Sequence, residues 1–255
     1  MQYGCGAMGS STAREHLAAP IQGELRYWPE LGRLLAVRSF RAPRRVERRR
    51  PILLIPGFLA GDASLTLLAH WLRRRGHQVR RSGIRLNADC AGREFARLQR
   101  RLVSFSEPVI VIGQSRGGTL ARALAARHPD SVAGVVTLGS PVLDPLAVSP
   151  AVLRSVRMLA RLGDLGVPGV FSTRCRDGEC CRAFDGLLRD PLDPDVVALA
   201  VYSRSDAIVD WRACLDPYAE CVEVRGSHCG MAVNPDVYRA LEHVLDRAEA
   251  ATCTR

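Results

Sequence analysis

The chain contains no lysine: all 36 of its basic residues are arginine, set against 26 acidic residues, for a net charge of +10. So uniform a preference points to a GC-rich coding background more than to a demand for guanidinium chemistry. Aromatic residues make up only 5% of the chain and no nucleic-acid-binding motif accompanies the basic charge, which argues against a nucleic-acid partner. No apolar run is long enough to span a membrane. The opening Met1-Gln2-Tyr3-Gly4-Cys5-Gly6 has neither a charged start nor an apolar core, so no signal peptide is read and a cytoplasmic protein with reduced thiols is expected. Nine cysteines are many for 255 residues, yet no C-x-x-C pair occurs, which speaks against a zinc finger or a simple disulfide framework. Cys175, Cys180 and Cys181 leave a metal cluster open, and Cys180 with Cys214 a disulfide strap.

What the chain does have is Gly113-Gln114-Ser115-Arg116-Gly117 in a telling setting. Before it, Pro108-Val109-Ile110-Val111-Ile112 reads as a buried strand; after it, the alanine-rich Gly118–Arg127 reads as a helix. Strand, G-x-S-x-G, helix is a nucleophile elbow, a turn so tight that small residues must flank the serine. Downstream come an acid and then a histidine, each after a strand-like run: Asp206 beyond Val196–Ser203, and His228 beyond Cys221–Arg225. A serine hydroxyl needs a base to become nucleophilic, and that base needs a carboxylate to fix its tautomer. Asp210 and Asp144 are rival acids, and Asp210 reads more naturally as a cap. Cys229, beside the histidine, stands on no elbow of its own.

In these residues the chain resembles the α/β-hydrolases, in particular the small bacterial lipase/esterase-like members. The resemblance runs over roughly residues 50–247: Ile55-Pro56-Gly57-Phe58 after an early strand, the serine elbow, Tyr202-Ser203 through Asp206 to Val209, and Gly226-Ser227-His228. It implies a Ser115–His228–Asp206 triad, with the backbone N–H groups of Phe58 and Arg116 as an oxyanion hole. It further implies hydrolysis of a carboxylic ester, with no metal or organic cofactor. An acyltransferase or a thioesterase/cyclase would use the same acyl-enzyme, and a non-catalytic scaffold would use the fold alone. Arg116 is larger than usual after the nucleophile. Its side chain is expected either to face an acidic substrate or to run along the helix to a carboxylate.

The alternation of elements predicts a mostly parallel sheet with helices on both faces. Strands are expected at 51–56, 78–82, 108–113, 132–138, 196–203 and 220–225, and helices at 62–75, 91–103, 116–127 and 235–249. Residues 1–32 read as a flexible arm, 33–255 as one domain, and 33–38 as an edge strand. Residues 142–195 are too many for an ordinary connection. They hold an amphipathic helix over 151–162 and read as a cap above the serine, suited to an apolar, lipid-like acyl group. Seven arginines between Arg38 and Arg50 (Arg38, Arg41, Arg44, Arg45, Arg48, Arg49 and Arg50) form a surface suited to anionic headgroups, so peripheral membrane contact is an expected option.

Overall fold

The computed structural model describes residues 21–42, 49–176 and 178–250. Its centre is a six-stranded sheet in which every neighbouring pair is parallel, in the order β2-β1-β3-β4-β5-β6. The strands are β1 (Ile52–Ile55), β2 (Val79–Arg81), β3 (Val109–Gln114), β4 (Val132–Leu138), β5 (Val197–Tyr202) and β6 (Glu220–Glu223). The helices are α1 (Tyr27–Ala36), α2 (Arg38–Arg41), α3 (Thr66–Arg75), α4 (Ala91–Leu102), α5 (Arg116–Arg127), α6 (Pro150–Asp164), α7 (Thr173–Arg176), α8 (Glu179–Arg189) and α9 (Pro235–Ala250).

Continuous apolar strands arise because both faces of a parallel sheet are covered. In β1 and β3, Ile52, Leu54, Ile110 and Ile112 face one core with Trp71 of α3 and Leu241 of α9. The alternating residues Leu53, Ile55, Val109 and Val111 face a second core with Leu98 of α4, Leu120 of α5 and Phe184 of α8. The expected parallel sheet with helices on both faces is the observed one. The crossovers leave the carboxyl ends of the central strands open, and that is where such sheets place their ligands.

Residues 21–36 correct the expectation of an arm and an edge strand. Ile21–Arg26 form a 3-10 helix and Tyr27–Ala36 are α1. Tyr27, Leu31 and Leu34 recur at helical spacing, and all three pack against the first core, so the period of this segment is that of a helix. Residues 1–20 lie outside the described residues, as do Arg44, Arg45 and Arg48 of the arginine-rich segment. Arg50 of that segment is not a free surface charge: its guanidinium donates to Ala248 O at 3.1 Å and to Pro108 O at 3.2 Å.

The long connection after β4 divides into unlike halves. Phe184 and Leu188 of α8 are buried in the second core beside Phe95 and Leu120. In α6 only Leu159 and Ala160 are buried, while Met158 is 59% exposed. Helix α8 is tied in from α5. Arg122 Nε donates to Asp216 Oδ2 at 3.1 Å, and the rest of its guanidinium donates to Leu187 O at 3.0 Å and Asp190 O at 2.6 Å. Among the described residues no helix is long and apolar enough to cross a membrane.

Candidate active site

Ser115 sits between β3 and α5 with φ 52° and ψ −125°, a conformation that L-residues avoid and that costs on the order of 1–3 kcal/mol. Two glycines explain how the chain reaches it. A Cβ on Gly113 would lie 2.2 Å from Gly117 O, and one on Gly117 would lie 2.3 Å from Ile55 O. The turn is held by backbone bonds, Ser115 N–H to Leu138 O at 2.8 Å and Gly118 N–H to Ser115 O at 2.9 Å.

His228 follows β6 and is buried, as is Asp206. His228 Nδ1 lies 2.6 Å from Asp206 Oδ2. The other carboxylate oxygen, Oδ1, accepts from the backbone N–H of Ile208 and of Val209, each at 2.8 Å, so both oxygens of Asp206 are committed. Burial opposes a charge on His228. The Asp206 carboxylate, through its charge and its hydrogen bond, and the Glu24 charge outweigh it, so the pKa is raised above the ordinary imidazole value. Asp210 caps a short 3-10 helix by accepting from Arg212 N–H at 3.0 Å, and the exposed Asp144 accepts from Leu146 N–H at 3.0 Å. Neither rival acid bonds the histidine.

The histidine turn is gripped from the N-terminal segment. Glu24 accepts from the N–H of His228 at 3.1 Å and of Cys229 at 2.8 Å. Glu30, buried in α1, accepts from Ser227 N–H at 2.8 Å and from Ser227 Oγ at 2.9 Å. Burial pushes the Glu30 carboxyl up, against the bonds from Ser227. Gln114, next to the serine, donates to His228 O at 3.1 Å. Glu24 and Glu30 are not legible as site residues while their segment reads as an arm. The helical spacing of Tyr27, Leu31 and Leu34 was the signal that could have found them.

The backbone N–H groups of Phe58 and Arg116 donate to no described group, and that of Arg116 is one of the orphan donors at the start of α5. Asn87, also missed, joins their two loops. Its side chain donates to Pro56 O at 2.8 Å, and its backbone exchanges bonds with Leu59 and Ala60. Its Oδ1 accepts from the Arg116 guanidinium at 2.6 Å. The same guanidinium also donates to the carbonyls of Asn87 and Asp89. The expectation that the Arg116 side chain runs along the helix to a carboxylate is therefore corrected: its guanidinium binds backbone carbonyls and an amide oxygen of the 87–89 loop.

Ser115, His228, Phe58 and Arg116 line one cavity of about 890 Å³, which the connection after β4 walls with Val142, Val156, Phe171, Phe184 and Leu188. Asp206 stands behind the histidine. The expected Cys180–Cys214 strap is not formed. Both thiols are free; Cys214 is buried near Asp210 O, and Cys180 lies among other cysteines.

A family model described as the alpha/beta hydrolase fold matches residues 86–162. Among solved structures, the chain is similar to Bacillus licheniformis lipase BlEst2, at 16% identity and a TM-score of 0.55, over 80% of this chain and 94% of that one. It is similar to a Paleococcus ferrophilus monoacylglycerol lipase, at 12% identity and a TM-score of 0.56, over 80% and 96% of the two chains. It is also similar to carboxylesterase CesB of Bacillus subtilis, at 13% identity and a TM-score of 0.51, over 87% and 98%. No curated protein sequence matches the chain significantly.

Proposed function

We propose that this chain, which has the α/β-hydrolase fold, is a serine hydrolase that cleaves carboxylic esters with apolar acyl groups. The observation that carries this reading is the Asp206–His228 bond behind a cavity that also holds Ser115 on its elbow. Asp206 keeps the proton on Nδ1 and leaves Nε2 free to accept the Ser115 hydroxyl proton as Oγ attacks the carbonyl carbon. The N–H groups of Phe58 and Arg116 take the negative charge that develops on the carbonyl oxygen, and the Asn87–Arg116 link fixes their loops beforehand. His228 then protonates the departing alcohol. Water, deprotonated by the same imidazole, attacks the acyl-enzyme and releases the acid. Helices α6 and α8 act as cap and wall, and their Val156, Phe184 and Leu188 present an apolar surface to the acyl chain.

The test is fluorophosphonate labelling combined with a chain-length series of p-nitrophenyl esters. The wild type is expected to label. Ser115→Ala is expected to lose both labelling and about 10⁴-fold or more in kcat while melting as before. Labelling that survives Ser115→Ala overturns the nucleophile. kcat/KM should rise with acyl length by up to about 0.8 kcal/mol per buried methylene until the cavity is filled. A flat profile, with transfer to an added acceptor outrunning hydrolysis, would favour an acyltransferase instead.

A further inference from the structure

Four of the cysteines that remain outside this chemistry meet at one point. Cys90 precedes α4, Cys175 is in α7, and Cys180 and Cys181 open α8. Their sulfurs all lie within 4.8 Å of one another, with Cys90–Cys180 at 3.4 Å and Cys175–Cys180 at 3.7 Å, and none is joined in a disulfide. Four thiolates bound to zinc at about 2.3 Å sit at the corners of a tetrahedron whose edges are about 3.8 Å. The spacing is that of a shared ligand rather than of a pair about to close, since a disulfide needs about 2.05 Å and leaves two sulfurs over. The backbone is shaped for the approach as well: a Cβ on Gly92 would stand 3.1 Å from Cys180 Cβ.

We propose that Cys90, Cys175, Cys180 and Cys181 bind one zinc ion, clamping the α7–α8 segment to the start of α4. Soft thiolate donors select zinc over magnesium or calcium, and four of them leave no open position, so the site is structural. Zn²⁺ replaces the thiol protons, which pass to the buffer, and no oxidant or reductant takes part. Cys90 at the start of α4 and Cys180–Cys181 in the first turn of α8 place the negative charge at two helix N-termini, where it is favoured. Cys90, Cys175 and Cys181 also line the cavity beside Ser115, so the ion would hold one wall of that cavity in place. This inference stands whether or not the chain is a hydrolase. Cys175, Cys180 and Cys181 stand together in the sequence, whereas Cys90 lies 90 positions before Cys180 and joins them only in the fold.

The full chain, purified reduced and without chelator, is expected to carry one zinc per chain by elemental analysis. Exchanged with cobalt, it should show the thiolate-to-metal charge-transfer band and the intense visible bands of a tetrahedral four-sulfur site. Cys90→Ser and Cys180→Ser should each lose the metal, whereas Cys221→Ser should keep it. Chelator should lower the melting temperature of the wild type and leave that of Cys180→Ser unchanged. Wild-type protein with reduced thiols and no bound metal overturns the proposal, as does a disulfide mapped between any two of the four cysteines. Should the serine variants not fold, the wild-type cobalt spectrum decides alone, since its absence on reduced protein overturns the site.

Discussion

Ser115 and His228 are held in opposite ways. The serine is fixed by backbone: two glycines bring chain segments so close that no side chain fits, and the bonds that close the turn run between main-chain groups. The histidine is fixed by side chains, with Asp206 on its ring, Glu24 and Gln114 on its main chain, and Glu30 on the neighbouring Ser227. Two of those four side chains come from the other end of the chain. A support made of backbone leaves its mark in local sequence. A support made of remote carboxylates leaves none, and it brings charge to the ring that it positions.

The largest effect expected from breaking this arrangement is at Asp206. In Asp206→Asn the amide oxygen can keep the bonds from Ile208 and Val209, which leaves the NH₂ facing His228 Nδ1. The ring must then carry its proton on Nε2, where it cannot act as a base, and kcat should fall on the order of 10²–10⁴-fold. Asp210→Asn keeps its capping oxygen and should cost less than about 1 kcal/mol of stability with kcat retained. Equal losses in the two variants would break the assignment of the acid.

Next comes the backbone side. Gly117→Ala sets a methyl 2.3 Å from Ile55 O, against backbone that cannot swing away. It should destabilise the fold by about 1–3 kcal/mol or more, in line with overpacking of a tight site, and displace the elbow. Denaturant melts and kcat on the same preparation measure both effects. An unchanged melt would show that the turn is looser than its contacts imply.

The smallest effect sharpens the comparison. The Glu24 charge helps to raise the His228 pKa, and only the neutral ring can accept the serine proton. Activity should therefore fall as pH drops through that raised pKa. Glu24→Gln removes one favourable charge and lowers the pKa, so the acid limb of the kcat/KM profile should move to lower pH. A limb that stays in place, or moves to higher pH, would reduce Glu24 to a purely mechanical support.

The same contrast accounts for what was legible in the sequence. Strands β1, β3, β4 and β5 stand out as continuous apolar runs because both faces of the sheet are buried, and the elbow stands out because steric crowding dictates its residue types. Helix α1 is hidden because Leu34-Leu35-Ala36-Val37 taken alone reads as a short strand, and because the job of Glu30 becomes visible only once Ser227 is beside it. Helix α8 is masked because its buried face is only Phe184 and Leu188, set among cysteines, charged residues and Gly186. Asn87 looks like any loop asparagine until Pro56 and Arg116 are seen on either side of it.

Arg122 joins regions that would otherwise come apart separately. Its guanidinium joins the helix that starts just after Ser115, the end of α8 and the Asp216 loop, and both members of its ion pair are almost fully buried. If α5 opened alone, the buried Asp216 carboxylate would lose its partner, and if the Asp216 loop or the end of α8 opened alone, the buried Arg122 guanidinium would lose acceptors. The three segments are therefore expected to open together, and Ser115, at the head of α5, to share their protection from hydrogen exchange. Helix α6, in which only Leu159 and Ala160 are buried, makes none of these bonds, so its amides are expected to exchange with solvent faster than those of α5.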